Sequence, residues 1–200
     1  FDLAHTIRTN VSNALQATAA AFHLGAAPKE IREALSAFTP SFEDSPGRLN
    51  FYRELPFTVL MDSAHSGEGF EYLMDFVDTL QAEERKAILF AVSGSMKDED
   101  IAERAGMVAG HFDLYLCRNY PNLHGREPDE VPGLMRQALE TLGVPPSAIV
   151  ELPEGNAVET ALRAARPGDL LVVCCSVLGL REEWATITSF GRGGADQSED

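Results

Sequence analysis

The spacing of apolar residues changes about a quarter of the way along the chain. Before that point, residues 11–25 and 29–38 have helical spacing, and the first of these stretches is rich in alanine, a strong helix former. Gly25 predicts a left-handed end to the first helix, and Pro28 predicts the start of the second. Residues 39–50 contain prolines and a glycine but no periodicity. They are therefore predicted to be a linker.

After the linker, short apolar runs alternate with stretches of helical spacing. Each run has the length and composition of a buried strand, and helical stretches of about 10 to 15 residues separate the runs. This alternation predicts βαβ units, and hence a mostly parallel sheet covered on both faces: a three-layer, Rossmann-like α/β fold. The predicted strands are 57–62, 87–93, 112–118, 148–153 and 170–176, and the predicted helices are 68–80, 98–111, 128–142 and 156–166.

These patterns divide the chain into three parts. Residues 47–190 are predicted to form the α/β domain, and residues 1–46 a helical piece of another domain followed by the linker. Residues 191–200 are polar and predicted to be disordered. Since Phe1 is not an initiator residue, the chain is expected to be part of a longer or processed protein.

Composition and charge narrow the functional classes. Of the 200 residues, 31 are acidic and 16 basic, and a formal net charge of −15 argues against nucleic acid or an anionic membrane as a partner. No apolar run reaches the roughly 18 residues of a membrane span. The cysteines Cys117, Cys174 and Cys175 form no even disulfide framework, so a reduced state and a cytoplasmic location are expected.

Candidate chemistry lies in the loops that leave the carboxyl ends of the predicted strands, because parallel sheets gather these loops at one edge. The first loop combines Asp62 with His65, which can accept hydrogen bonds, pair with a cation or titrate near neutral pH. An aspartate that caps backbone amides and a structural histidine explain the same pattern. The four loops are 62–69, 93–100, 118–127 and 176–182.

Two basic residues are candidates for binding phosphate. Lys97 precedes a helix with an acidic first turn, so this loop either cradles phosphate through backbone amides or simply caps the helix. Arg48 follows a Pro-Gly turn, where its guanidinium either clamps phosphate oxygens or lies exposed on the surface. No G-x-x-x-x-G-K-[ST] loop occurs, so the chain lacks the motif that holds the β- and γ-phosphates.

Other chemistries find no support in the sequence. The five histidines are scattered and the cysteines lack C-x-x-C spacing, so no metal site is predicted. No serine lies in a G-x-S-x-G elbow, and no G-x-G-x-x-G fingerprint follows a predicted strand.

Four segments, in their order and spacing, resemble the Mur ligase superfamily, and most closely the C-terminal part of the cyanophycin synthetases. The likeness extends from about residue 10 to about residue 175, and 124-HGREPDE-130 echoes a later family segment. The four segments are 10-NVSNALQATAAAFHLG-25, 46-PGRLN-50, 62-DSAHSGEG-69 and 93-SGSMKDEDIAERAG-106.

The resemblance implies an ATP-dependent ligase that joins an amino acid or peptide to a carboxylate through an acyl-phosphate, with Mg²⁺. It implies catalytic roles for Asp62 and His65, which would face ATP, and for Arg48, a hinge arginine that reaches the phosphates.

The resemblance also implies nucleotide contacts by residues outside the first loop. Asn13 and Asn10 would match asparagines near the adenine, and Lys97 stands where the family has an arginine. The implied partners are an upstream central ATPase domain and a small amino-acid or peptide substrate, with a homo-oligomer left open. Since the chain lacks the ATPase domain, it is expected neither to catalyse alone nor to bind ATP tightly.

The first loop departs from the family pattern at three positions. Ser63, Ser66 and Gly67 stand where the family has tyrosine, asparagine and proline. Two interpretations therefore remain open: an active ligase domain, and a Mur-like module that has lost catalysis and serves a binding or regulatory role.

Overall fold

The computed structural model describes residues 8–39, 41–152 and 155–193; for residues 8–10, 192 and 193 it describes the backbone alone. The helices are α1 (Arg8–His23), α2 (Pro28–Ala37), α3 (Gly67–Thr79), α4 (Asp98–Gly106), α5 (Glu130–Thr141), α6 (Ala157–Ala164) and α7 (Leu180–Gly193). The strands are β1 (Asn50–Tyr52), β2 (Thr58–Asp62), β3 (Lys86–Phe90), β4 (Leu114–Cys117), β5 (Ile149–Glu151) and β6 (Leu170–Cys174).

The six strands form one sheet in the order β1-β2-β6-β3-β4-β5. All neighbouring strands are parallel except β1, which pairs antiparallel with β2 at one edge. The last of the described strands, β6, lies between β2 and β3 and pairs Asp62 with Cys174 at its carboxyl end. The predicted mostly parallel α/β sheet is confirmed.

Both faces of the sheet are buried, as the continuous apolar strands predict. In β2, Leu60 packs with α3, α4 and α5 on one face, whereas Val59 and Met61 pack with α6 and α7 on the other. All three side chains are fully buried. This alternation produces the three layers, with helices on each side of the sheet.

The hairpin of α1 and α2 stands apart from these layers. The two helices pack on each other, and Gly25 between them has a φ of +94°, the predicted left-handed end. No residue of α2 is buried, and Leu15, Phe22 and Leu24 expose 65%, 64% and 86% of their surface. The apolar face of this hairpin is thus uncovered.

Two elements were not predicted. The predicted linker 39–50 ends in β1, and its Phe42 stacks on Trp184 of α7 with ring centroids 4.7 Å apart. The segment is therefore packed on the domain, held by an aromatic contact between residues far apart in sequence. Helix α7 was also missed, and it runs into the predicted disordered tail through residues 191–193, because Ile187 and Phe190 bury its apolar face. Residues 194–200 lie outside the described part.

Among the helices of the described ranges, none combines the length and the apolar character needed to span a bilayer.

Candidate functional site

A cavity of about 200 Å³ opens at the carboxyl edge of the sheet. Its walls are formed by residues that follow β2, β3, β4 and β6, together with Phe70 of α3 and Arg104 of α4. The cavity lies where the chain leaves β2 for β3 and later returns to place β6 between them. Such a switch in strand order is where open α/β sheets bind ligands.

The end of β2 is joined to the turn that precedes β1 by the Asp62 carboxylate. Asp62 is 7% exposed, and its Oδ2 accepts a hydrogen bond of 3.0 Å from the backbone amide of Leu49. Leu49 has a φ of +51°, which an L-residue rarely adopts. The Asp62 carboxylate thus holds a strained residue directly after Arg48.

The buried side chain of Asn50 bonds the backbone of the same turn. The sequence analysis did not identify this residue as a candidate. It is 1% exposed, and its Oδ1 accepts from the backbone amides of Gly47 at 2.7 Å and Arg48 at 3.3 Å. Its Nδ2 donates to the Ser45 carbonyl at 3.1 Å. The available signal in the sequence was a polar residue three positions after a Pro-Gly pair, because such a residue can bond the backbone of the turn.

Gly47 fits this turn because no side chain can. Its φ is +68°, and a Cβ there would lie 2.4 Å from Cδ1 of Leu180. The backbone amide and the hydroxyl of Ser63 both donate to the Gly47 carbonyl, each at 2.9 Å. The turn, the β2 end and the start of α7 therefore form one packed unit.

Arg48 projects from this fixed turn into solvent. The residue is exposed, and within the described ranges its guanidinium makes no ion pair or hydrogen bond with another side chain. The backbone around it is held by Asn50 and Asp62. Arg48 therefore offers an exposed guanidinium on a turn whose backbone is held in one conformation.

His65 lines the cavity and is exposed. Its Nδ1 lies 2.9 Å from the Ser63 carbonyl oxygen. Because a carbonyl only accepts, Nδ1 carries the hydrogen in this contact, and in the neutral imidazole this leaves Nε2 as an acceptor. His65 can therefore accept a hydrogen bond, whereas Asp62, three residues earlier, is turned inward to Leu49.

Burial raises the pKa of Asp62 above its ordinary value of 3.8. The hydrogen bond from the Leu49 amide and the charge of Arg48 oppose this rise. The buried position and the backbone partner indicate that Asp62 shapes the turn rather than exchanging protons with a ligand.

Lys97 directly precedes α4, and its side chain makes no hydrogen bond that caps the helix. The residue is exposed, and Asp98, Glu99 and Asp100 occupy the first helical turn. The loop before it is held by Arg126, whose Nε donates to the Gly94 carbonyl at 3.0 Å and whose Nη2 donates to the Met96 carbonyl at 2.8 Å.

Arg126 also pairs with Asp98 at 2.8 Å, so it positions the loop that carries Lys97. Sequence reasoning did not single it out, although it lies in the segment that echoes the family pattern.

The predicted adenine-side asparagines lie on α1. Asn13 is exposed on that helix, whose main packing partner is α2. The side chain of Asn10 lies outside the described part of the chain. The structure thus brings Arg48, Asp62 and His65 to the carboxyl edge of the sheet, with Lys97 in a neighbouring loop, and leaves Asn13 on the separate hairpin.

The cysteines are packed as thiols. Burial raises the pKa of Cys117 and Cys175 to about 12, and that of Cys174 well above its ordinary value. The Cys175 thiol donates to the Asp62 carbonyl at 3.2 Å. Within the described ranges, no group of three or more His, Cys, Asp or Glu side chains is arranged to hold a metal ion.

Comparisons with known proteins agree with this architecture. The model of a family described as "Mur ligase, glutamate ligase domain" matches residues 47–177. The chain is 28% identical over 163 residues to the cyanophycin synthetase of Geminocystis herdmanii and 30% identical over 165 residues to that of Synechocystis sp.. Each match covers 82% of this chain and 18% of the relative, so the chain spans less than a fifth of their length.

Solved structures share the fold at low sequence identity. The folylpolyglutamate synthase of Thermotoga maritima superposes with a TM-score of 0.63 and 16% identity, covering 92% of this chain and 39% of the other. E. coli FolC in complex with ADP superposes with a TM-score of 0.65 and 22% identity, and the match covers 89% of this chain and 39% of FolC. With the match of the family model to most of the α/β domain, these results show that the chain belongs to the Mur ligase family, glutamate ligase domain.

Proposed function

We propose that this chain is the C-terminal part of a longer ATP-dependent ligase, similar to the cyanophycin synthetases, which joins an amino acid to a carboxylate through an acyl-phosphate. The observation that carries the proposal is the exposed, unpaired Arg48 on a turn fixed by Asp62 and Asn50. An ordinary surface arginine does not need a turn whose backbone is held in one conformation. A guanidinium that must meet phosphate oxygens in a defined position does, since it binds them with fixed geometry.

His65 is the second residue proposed for the reaction. It lies between the turn and the cavity, with Nε2 available to accept a hydrogen bond. In this role it orients a donor group of the nucleotide or the incoming amino acid. Asp62 is proposed as the residue that positions Arg48 rather than as a proton acceptor, because its carboxylate is occupied by the Leu49 amide.

The α1–α2 hairpin is proposed to belong to the central ATPase domain upstream, with residues 47–190 forming the C-terminal domain. The exposed apolar side chains Leu15, Phe22 and Leu24 support this division, because they form no core with the α/β layers. A larger domain would cover them. Asn13 and Asn10 would then face the adenine from that domain.

ATP and Mg²⁺ are the proposed cofactors of the longer protein. Arg48 suits phosphate oxygens by its charge and exposure, and Lys97 adds a second exposed cation at the start of α4. Mg²⁺ often binds through substrate phosphates with few protein carboxylates, so the ion would be held mainly by ATP and the upstream domain. The metal would supply neutralisation of phosphate charge. The isolated chain is expected not to catalyse.

The test is turnover by the longer protein. Phosphate release and amide product are measured with ATP, an aspartate-rich peptide and a panel of single amino acids. We expect phosphate release that depends on both acceptor and amino acid, with stoichiometric amide formation. A longer protein without an upstream phosphate-binding loop, or one that binds ATP and never releases phosphate, would contradict the ligase proposal.

Two serines that depart from the family pattern, Ser63 and Ser66, favour one alternative by their hydrogen bonds: a Mur-like module without catalysis. The Ser63 hydroxyl donates to the Gly47 carbonyl, and the Ser66 hydroxyl accepts from the Gly69 amide to cap α3. Both side chains are therefore used to support the fold. In this alternative the longer protein binds nucleotide or a partner without turnover, an outcome that the same assay separates.

A further inference from the structure

Two parts of the chain that lie outside the family match pack on each other beside the Arg48 turn. The family model matches residues 47–177, whereas Phe42 precedes this range and helix α7 follows it. Phe42 is 8% exposed, and its ring stacks on the half-buried ring of Trp184 with only 3° between the two planes. The family match does not account for this contact, so its purpose must come from its surroundings.

Helix α7 contacts the chain both before and after Arg48. Leu180 lies four residues before Trp184 and therefore on the same face of the helix. Its Cδ1 occupies the space beside Gly47, where a Cβ would lie 2.4 Å away. After Arg48, the ring of Tyr52 meets Trp184 edge-on with centroids 6.0 Å apart, and its hydroxyl lies 3.3 Å from a carbonyl oxygen of α7. The segment that carries Arg48 thus rests on one face of this helix.

Helix α7 is itself fixed to the sheet. Ile187 is fully buried in the core between the helix and the strands. Glu183 pairs with Arg118, the residue after β4, at 3.0 Å, and the two side chains expose only 12% and 9% of their surface. Charge-assisted pairs of this kind fix the geometry of both partners. The helix is therefore anchored at the carboxyl edge of the sheet, next to the cavity.

The Arg48 turn is held from two sides. Residues at the carboxyl end of β2 form hydrogen bonds with the backbone of Gly47 and Leu49. The chain that leads into the turn is held differently, because Phe42 is the one buried residue among residues 41–46, all of which the structure describes. The stack on Trp184 is therefore the contact that fixes this approach to Arg48.

We propose that Trp184 is a positioning residue of the ligase: by stacking on Phe42, it fixes the place at which Arg48 meets phosphate oxygens. The inference rests on the proposed role of Arg48 and adds a residue that does not touch the substrate. A displacement of about 1 Å at a reacting group can cost about 100-fold in rate. Without the stack, the chain before Gly47 shifts, and the guanidinium of Arg48 shifts with it.

The first measurement uses this chain and needs no turnover. Amide hydrogen exchange is followed by NMR at Arg48 and Leu49, whose amides bond to side-chain oxygens within the turn and at the end of β2. W184A is expected to speed exchange at these two amides by about tenfold or more, since the turn opens locally. W184F keeps a ring that can stack on Phe42 and is expected to stay near the wild-type rate.

F112A is the matched control for loss of an aromatic contact. Phe112 is also 8% exposed and also packs against an aromatic ring, that of Tyr115, but it lies at the amino ends of the strands. Its removal is expected to lower the global stability and to leave the difference in exchange between the Arg48 turn and the central strands unchanged. Local acceleration at Arg48 by F112A equal to that by W184A would overturn the proposal.

The second measurement tests whether Trp184 acts through Arg48. In the longer protein, kcat/KM for ATP is measured for W184A, R48A and the double variant. W184A is expected to lower it by about 10- to 100-fold, W184F by much less, and W184A to cause no further loss once Arg48 is replaced. Additive losses would overturn the proposal, because a residue that acts only on stability loses the same factor with or without Arg48.

The two measurements also separate this inference from the proposed function. A loss of turnover in R48A together with unchanged exchange in W184A would reject the positioning role of Trp184 and retain the ligase. Unchanged turnover in R48A would reject the proposed role of Arg48, and the positioning role of Trp184 with it.

Discussion

The backbone amide of Leu49 donates a 3.0 Å hydrogen bond to the Asp62 carboxylate, and this contact ties the Arg48 turn to the end of β2. Asp62 is nearly buried, and Leu49 is held at a positive φ. The aspartate that marks the first strand-end loop in the sequence thus acts on the residue next to Arg48. Its contribution is positional, which distinguishes it from the exposed His65 three residues later.

The first prediction concerns the acceptor at Asp62. D62A leaves the Leu49 amide without its partner and is expected to cost about 1 to 3 kcal/mol of unfolding free energy relative to D62N, which keeps an acceptor oxygen. Urea unfolding of both variants at pH 7 measures the difference. Equal stability of D62A and D62N would show that the contact does not hold the turn.

The same residue has a predictable pH dependence. Burial raises the pKa of Asp62 above the 3.8 of the unfolded chain, so ionisation on raising the pH destabilises the folded state. D62N does not ionise. The stability of D62N relative to the wild type is therefore expected to increase as the pH rises from below 3.8 to 7, and denaturant unfolding across this range measures it. A relative stability that falls with rising pH would contradict the direction of the shift.

Arg48 is expected to matter for turnover and not for stability. In the longer protein, R48A should lower kcat/KM for ATP by roughly 100-fold if the guanidinium meets developing phosphate charge. Its side chain is exposed and unpaired, so unfolding should change by less than about 0.5 kcal/mol. R166A is the control, an exposed arginine on the other edge. Unchanged kinetics of R48A would remove Arg48 from the site.

Gly47 is expected to be limited by both backbone and space. G47A places a Cβ 2.4 Å from Leu180 Cδ1 at a φ of +68°, and the backbone strain alone should cost about 1 to 3 kcal/mol. L180A removes the clash and retains the strain. A double-mutant cycle by chemical denaturation is expected to show that L180A recovers part of the loss. Full additivity of the two changes would mean that they do not interact.

Asp169 provides a test far from the cavity. Burial alone raises its pKa, but hydrogen bonds from Arg85 and from the Arg166 amide outweigh burial, so the pKa lies below 3.8. The stabilisation is therefore present above pH 3.8 and is lost as the pH falls through the folded pKa. D169N should destabilise by about 2 kcal/mol at pH 7, the range of a hydrogen bond to a charged group, with a smaller difference in acid. A difference that stays constant from pH 7 to acid would contradict this ion pair.

Most of the fold could be predicted from the sequence, because five strands carry continuous apolar runs and the helices between them have apolar residues at helical spacing. β1 was not readable, since its three residues follow a Pro-Gly turn and gain their partners from β2. Helix α7 was missed because its Trp184 packs on Phe42 and Tyr52, residues far away in the sequence, and a local pattern does not show such contacts.

The candidate site was predictable only in part. Asp62, His65 and Arg48 stood out by their positions at strand ends and turns. Asn50 and Arg126 act through backbone groups that the folded chain brings near them, and Arg104 resembles any other charged residue of a helix. Its place in the wall of the cavity is a property of three-dimensional packing, which no local pattern encodes.

The position of β6 has a consequence for how the chain folds. β1 and β2 pair with each other, and β3, β4 and β5 form a second set, but the two sets are joined only through β6 in the described sheet. Of the six described strands, β6 is the last to emerge during synthesis. The two sets of strands can therefore join into one sheet only after β6 is made, through contacts between residues far apart in sequence. Until then, the edges of β2 and β3 that pair with β6 have no partner strand. A chain that ended before Leu170 would leave both edges open to pairing with other molecules.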